Sequence, residues 1–298
     1  MRSIPPFDQP GIWLRGNLHC HSRESDGALP PEEVLDRHRR AGYDFFALTD
    51  HDRITSLEAG DGSPVVLPGA ELSLGRTRQG SPFHCIAVGL RATLPQAFPS
   101  PTAALAWVWD QGGFPIVAHP YWSGFSTDEL ATVEGVRAIE IYNHSCAREN
   151  DKGHALAYWD DLLGRGRSIL GVATDDAHWR EPDFGGGWVM VRAADRSAQA
   201  VLDALRVGGF YSTGGPEISD IVSDGRRLRV RTTPAASIYW VGPGRLGWSR
   251  HAVADESLTE VEFQLKGNPD WVRVEVCDGH GRWAWSNSFQ VPGRDTTR

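Results

Sequence analysis

The chain is poor in sulfur, with four cysteines and two methionines in 298 residues. Cys20, Cys85, Cys146 and Cys277 are scattered and show no C-x-x-C spacing, so neither a zinc ribbon nor a disulfide framework is implied. Reduced thiols in a cytoplasmic protein are the expectation. Positive charge is not in excess either. Lys and Arg total 30 against 38 Asp and Glu, a formal net charge of -8, which argues against bulk electrostatic binding to duplex DNA. A small anionic substrate stays open, because a metal site reverses the field locally. No apolar run approaches the roughly 18 residues that span a membrane, and Met1 to Asp8 has no apolar h-region of a signal peptide. Also missing are G-x-x-x-x-G-K-[ST], G-x-S-x-G and H-E-x-x-H, internal repeats and low-complexity segments.

What remains is a globular composition, long enough for one large domain or for a large and a small one. From residue 16 to about 190, short apolar runs alternate with helix-like stretches. Gly16 to His21 reads as a first strand, and Pro30-Pro31-Glu32-Glu33 opens a helix that runs to about Arg40. Phe45 to Leu48, Val65 to Leu67, His84 to Val88, Ile116 to Ala118, Ala138 to Tyr142 and Ser168 to Ala173 read as further strands. Helices are expected near Ala103–Asp110 and Ala155–Leu163. This βα alternation predicts a parallel α/β architecture. After a further helix over Ser197 to Val207, four segments alternate with period two between Asp-Gly, Gly-Pro and Asn-Pro turns. Residues 217–298 are therefore expected to form a small antiparallel β domain, sandwich-like, with Arg294 to Arg298 frayed. Five of the 12 tryptophans (Trp240, Trp248, Trp271, Trp283, Trp285) fall there, as packed core or as a ligand-binding surface.

Chemistry-bearing residues cluster in the first part. His19 and His21 sit at i and i+2 of a predicted strand, so both imidazoles can reach one metal ion. Asp176 and His178 repeat the spacing, with Asp175 turned to the other face. His51, Glu71 and His119 each lie just beyond an apolar stretch, where parallel α/β folds assemble their sites. His84 begins an apolar run and fits a strand-end ligand less well. Asp26 lies in the Ser25-Asp26-Gly27 loop. Singly, each of these is an ordinary turn or surface residue; their joint occurrence points to a metal centre. Asp50 reads either as a partner fixing the His51 tautomer or as a capping or turn aspartate. Arg148, Lys152, His154 and Arg180 could grip a phosphate or be solvated surface charges. Asn143, at the end of a strand, is a weaker candidate for the substrate side.

Taken in order, Asn17-Leu18-His19-Cys20-His21, Ser25-Asp26-Gly27, Leu48-Thr49-Asp50-His51, Gly69-Ala70-Glu71, Phe83-His84, Ala118-His119-Pro120 and Asp176-Ala177-His178 resemble the motif series of the PHP superfamily (polymerase and histidinol phosphatase domain). The resemblance implies a distorted (β/α)7 barrel over residues 1–216, TIM-like, with two or three divalent ions at its C-terminal mouth. It assigns His19, His21, Glu71 and Asp176 to one ion. Glu71, His84 and His119 go to a second, and Asp26, His51 and His178 to a third. Asp26 stands where some members have His, and both are competent ligands. Phe210 to Ile218 and Trp285-Ser286-Asn287 are similar to a subgroup that includes carbaryl-type carbamate hydrolases.

The reaction expected of such a centre is hydrolysis by a metal-bridging hydroxide, with Asp176, Glu71 and His178 as the catalytic constellation. A cationic, oxygen-seeking cluster favours a phosphomonoester or phosphodiester, a nucleotide or an oligonucleotide end. Carbamate, amide or ester hydrolysis on the same scaffold, or a non-catalytic metal-binding module, are the alternatives. Imidazole and carboxylate ligands suit Zn, Mn or Fe without selecting one.

Overall fold

The computed structural model describes residues 1–60, 62–254, 256–267 and 269–291; Arg294 to Arg298, expected to fray, lie outside the described residues. The chain opens with β1 (Arg2–Ser3), β2 (Ile12–Asn17), α1 (Pro31–Arg40), β3 (Phe45–Leu48), β4 (Val65–Arg76) and β5 (Pro82–Val88). It continues through α2 (Pro101–Asp110), β6 (Phe114–Val117), α3 (Thr127–Thr132), β7 (Ala138–Asn143), α4 (His144–Asn150), α5 (Leu156–Gly164) and β8 (Leu170–Thr174). Next come β9 (Trp188–Ala193), α6 (Ala198–Arg206), β10 (Phe210–Thr213), β11 (Ile218–Ser223), β12 (Arg227–Ala235) and β13 (Ser237–Val241). The last elements are β14 (Gly247–His251), β15 (Leu258–Gln264), β16 (Arg273–Cys277) and β17 (Trp283–Ser286). No helix is long and apolar enough to cross a membrane among the described residues, and all four cysteines are free thiols.

The architecture is α/β, with one large mixed sheet and a small antiparallel one. The large sheet runs β14-β13-β16-β17-β10-β9-β2-β3-β4-β5-β6-β7-β8, and the small one β1-β11-β12-β15. The expectation of a parallel sheet holds only in part. The pairs β2–β3, β3–β4, β6–β7 and β7–β8 are parallel, but β4, β5 and β6 pair antiparallel. The reason is local: β4 overruns β3 by several residues and returns through the tight Thr77–Ser81 turn, closed by Thr77 N–H donating to Ser81 O and Gly80 N–H donating to Thr77 O, each at 2.8 Å, so β5 is the second arm of a hairpin. The strands β6 and β3 are buried throughout and apolar, as strands covered on both faces must be, and β7 is buried almost throughout but carries Glu140 and Asn143.

The edge strand β8 meets β10 through side chains. Ser212 Oγ accepts from Ala173 N at 2.9 Å and donates to Gly171 O at 2.8 Å, while Asn287 Oδ1 accepts from Gly171 N at 2.9 Å and its Nδ2 donates to Phe210 O at 3.0 Å. The C-terminal core lies between two sheets. Ile218, Ile221, Leu228, Val230, Val261 and Phe263 face Ile238, Trp240, Val272, Val274, Val276 and Ala284. Ile4, from the start of the chain, packs in that same core, and β1 pairs with β11.

Candidate metal centre

Strand β2 ends at Asn17, so His19 and His21 lie past it and not within it, as their spacing had suggested. The period-two argument nevertheless survives in the extension. Cys20 and Ala177 form an isolated parallel bridge. His21 N donates to Ala177 O at 3.0 Å and Asp176 N to His19 O at 2.9 Å. The H-x-H and D-x-H segments are thus laid side by side. Cys20 and Ala177 go into an apolar cluster with Val34, Phe46 and Leu48, and the flanking histidines and Asp176 turn the other way. A second parallel bridge joins His51 to Glu71. His84 lies near the start of β5, but β5 is antiparallel to β4 and places it opposite Ser73, diagonal to Glu71. Its position near the start of a strand therefore brings it to the same end as the others. His119 and Asp176 adopt φ of 28° and 57°, a region that non-glycine residues occupy at a cost, and such strain concentrates at functional sites.

The result is a contiguous cluster. His19 Nε2 is 3.2 Å from Glu71 Oε2 and 3.1 Å from Asp176 Oδ1; His21 Nε2 is 3.1 Å and 3.2 Å from the same oxygens, and the two nitrogens are 3.2 Å apart. Atoms at such separations share a centre ~2 Å from each, the distance at which imidazole and carboxylate ligate first-row divalent ions. Glu71 uses its other oxygen toward His84 Nδ1 at 2.9 Å and His119 Nε2 at 3.1 Å. Asp26 lies toward His178 Nε2 at 3.4 Å, His21 Nδ1 at 3.5 Å and His51 Nε2 at 3.7 Å. Three donor groups emerge: His19, His21, Glu71 and Asp176; His51, Glu71 and His84; and His21, Asp26, His51 and His178. They are consistent with two or three metal sites. The second differs from the expected set in gathering His51, with His119 beside it at Glu71.

Electrostatics argue the same way. Burial alone would lower the His19 and His21 pKa values, but the neighbouring carboxylates outweigh it, raising His19 well above its ordinary value and His21 to about 9. Glu71 and Asp176 are buried, which favours their neutral forms, yet the imidazoles hold both well below the ordinary carboxylate range. Without a cation, this centre has to borrow protons to balance buried negative charge. Asp176 Oδ1 is buried with no well-formed hydrogen bond to any described residue, as befits an atom kept for another partner.

The surroundings redistribute the remaining candidates. A cavity of about 830 Å³ opens over the cluster and is lined by Arg148 and Arg180, together with Trp122, Glu149 and Glu181. Lys152 and His154 do not line it; Lys152 sits over the Tyr121 ring and His154 packs on Tyr142. Asn143, expected near substrate, is fully buried. It caps α4 by accepting from Cys146 N at 2.9 Å, and it donates to Glu140 Oε2 at 2.8 Å and Asp176 Oδ2 at 3.0 Å. Asp50 touches no imidazole. It collects Ser22 N, Ser22 Oγ, Ser25 Oγ and Thr55 Oγ1 at 2.5–2.8 Å and so shapes the loop that carries Asp26. Asp175 turns away from the cluster and accepts the amides of Gly185, Gly186 and Gly187, each at 2.8 Å, with burial pushing its pKa up to about 7. A Cβ at Gly187 would meet Thr174 O at 2.3 Å, so only glycine lets that loop close on β8.

Sequence reasoning missed Glu140, whose carboxylate accepts from His19 Nδ1 at 2.7 Å. It also missed Ser123, within 3.0 Å of His119 Nδ1, and Asp183, which accepts from His178 N at 2.7 Å. A signal existed for Glu140: it is the single charge in the apolar run Ala138 to Tyr142, and a charge on a buried strand needs partners.

No protein-family model matches the chain. Over 67 residues it is 42% identical to a 3',5'-nucleoside bisphosphate phosphatase of Chromobacterium violaceum, covering 22% of this chain and 19% of that protein. Over 85 residues it is 32% identical to a 5'-3' exoribonuclease of Haemophilus influenzae, covering 27% of this chain and 30% of that protein. The matches thus span less than a third of the length of these relatives. Among solved structures, it is similar to a two-domain protein from Bacteroides vulgatus containing a predicted PHP-like metal-dependent phosphoesterase. That likeness has a TM-score of 0.55 at 15% identity and covers 98% of both chains. The chain shares the fold of that two-domain protein.

Proposed function

We propose that the chain is a metal-dependent hydrolase acting as a phosphoesterase on a small phosphate ester. The observation that carries this reading is the buried four-atom cluster of His19, His21, Glu71 and Asp176 beneath a cavity lined by Arg148 and Arg180. Lone-pair accounting supports three ion positions. A neutral imidazole brings one lone pair, so His21 serving the first ion leaves Asp26, His51 and His178 for a third. His51 there leaves Glu71, His84 and His119 for a second, with Glu71 spanning the first two. When bound, divalent ions supply Lewis acidity toward phosphoryl oxygens and bring water into the range where it ionises near neutral pH. Zn, Mn and Fe all suit the donor set.

The chain's own residues do the rest. Arg148 and Arg180 bind and orient the anionic group. Glu140 adds a fourth carboxylate beside Asp26, Glu71 and Asp176, so two divalent ions alone leave the centre neutral. The arginines then carry the preference for an anion. The two relatives, a nucleoside bisphosphate phosphatase and an exoribonuclease, make a nucleoside bisphosphate and an RNA end the first substrates to try. Metal content should be measured, and p-nitrophenyl phosphate, a phosphodiester and an aryl carbamate assayed in parallel. Phosphoester turnover that a chelator abolishes and added Mn or Zn restores is expected. Turnover of the carbamate alone would overturn the phosphoesterase reading, and a metal-replete protein without turnover would favour a binding module.

A further inference from the structure

Glu140 sits in the middle of β7 with 1% of its surface exposed. Its Oε1 accepts from His19 Nδ1 at 2.7 Å and from Thr174 Oγ1 at 2.6 Å; its Oε2 accepts from His119 N at 2.7 Å and from Asn143 Nδ2 at 2.8 Å. Four donors, from the ends of four different strands, fill one buried carboxylate. Two of them belong to proposed ligands. A third, Asn143, passes the constraint on to Asp176 Oδ2 at 3.0 Å.

We propose that Glu140 is a positioning residue of the metal centre, fixing His19 directly and Asp176 through Asn143, so that each offers one defined atom to the ion. With Nδ1–H committed to Glu140, the lone pair of His19 is left on Nε2, the nitrogen that faces Glu71 and Asp176. With Oδ2 of Asp176 committed to Asn143, Oδ1 is the oxygen left free, and it is the one without a well-formed hydrogen bond. The amide of His119 is pinned in the same way, at a residue whose φ of 28° the chain would not hold unaided. Losing an outer partner of this kind weakens metal binding by roughly 10–100-fold. The inference rests on reading the cluster as a metal centre.

The test separates positioning from mere structural support. Thr174 also donates to Glu140, but its side chain bonds to no proposed ligand. Affinity for Zn²⁺ alone is measured by competition with a chromophoric chelator on wild type, Glu140→Gln and Thr174→Val, alongside thermal melting of each. Glu140→Gln should lose roughly 10–100-fold in affinity and change the visible spectrum of the Co²⁺-substituted protein. Thr174→Val should melt earlier yet keep its affinity within about threefold. Equal Zn²⁺ affinity for folded Glu140→Gln and wild type overturns the inference, as does an equal loss in Thr174→Val. Should Glu140→Gln fail to fold, Asn143→Ser keeps a helix-capping hydroxyl and removes the link to Asp176; wild-type affinity there overturns the inference instead. A wild-type protein that binds no metal overturns the proposed function itself.

Discussion

Asp176 holds its backbone at φ 57° while its two oxygens keep different company, one with Asn143 and one with the imidazoles of His19 and His21. Asparagine tolerates the left-handed region, and its amide oxygen can still accept from Asn143. Asp176→Asn should therefore fold with a near wild-type melting temperature. Placing an amide where an ion needs an oxygen should cut phosphoester turnover by more than the ~10²-fold of an outer partner; an active variant would mean that Asp176 is not a ligand. Arg148 tests the other side of the cavity. Its removal takes away a charge-assisted contact of about 1.5–3 kcal/mol, so Arg148→Ala should raise KM for a phosphomonoester by roughly 10–100-fold with a smaller change in kcat. A KM unchanged in steady-state kinetics would make it a solvated surface charge.

At the scale of elements, legibility in the sequence followed chain-local physics. Most of the helices and the apolar strands were readable, because amphipathic spacing and Pro or Gly boundaries are written within a few residues. The direction of β5 was not, since pairing depends on how far β4 overruns its neighbour, and this is why His84 looked misplaced. Glu140 and Asn143 were unreadable as partners because nothing local shows that β2, β6, β7 and β8 bring their ends together. The motif from Phe210 to Ile218 was visible but its job was not: Ser212 and Asn287 bridge β8 to β10, a structural duty that needs no carbamate. Ser212→Ala strands a buried amide and a buried carbonyl at that seam. At about 1–3 kcal/mol for an unsatisfied buried group, it should lower unfolding free energy by at least ~1 kcal/mol in urea denaturation, with metal content unchanged. An equally stable variant would show that water or backbone movement closes the seam.

Across the whole molecule, the large sheet runs from the strands that position the histidine and carboxylate cluster to β17, β16, β13 and β14 without a break, and the N-terminal residues return to the small sheet. Arg273, buried on β16, pairs with Asp160 of α5 and with Glu275 and lies over the rings of Trp159 and Trp271. Stability also depends on pH through buried titratable groups, and His38 gives a case whose sign can be worked out. Its ring is stacked on Phe46 at 4.2 Å, and its Nδ1–H donates to Val34 O at 2.9 Å. Burial, helped by the charge of Arg15 and opposed by the Val34 bond, pushes its pKa from 6.5 down to about 4. Above pH 6.5 it is neutral in both folded and unfolded chains and costs nothing. As pH falls from 6.5 toward 4, the unfolded chain takes up a proton that the native ring refuses, so stability drops by up to ~1.4 kcal/mol per pH unit and ~3 kcal/mol in all. Below that range both states are protonated and the loss stops growing. His38→Leu removes the titration while keeping an apolar side chain in the aromatic nest. The difference in unfolding free energy between wild type and this variant, measured by denaturant titration, should move by ~3 kcal/mol in favour of the variant from pH 7.5 to pH 4. A difference that stays flat across that interval would mean that the native fold opens to protonate His38 at little cost.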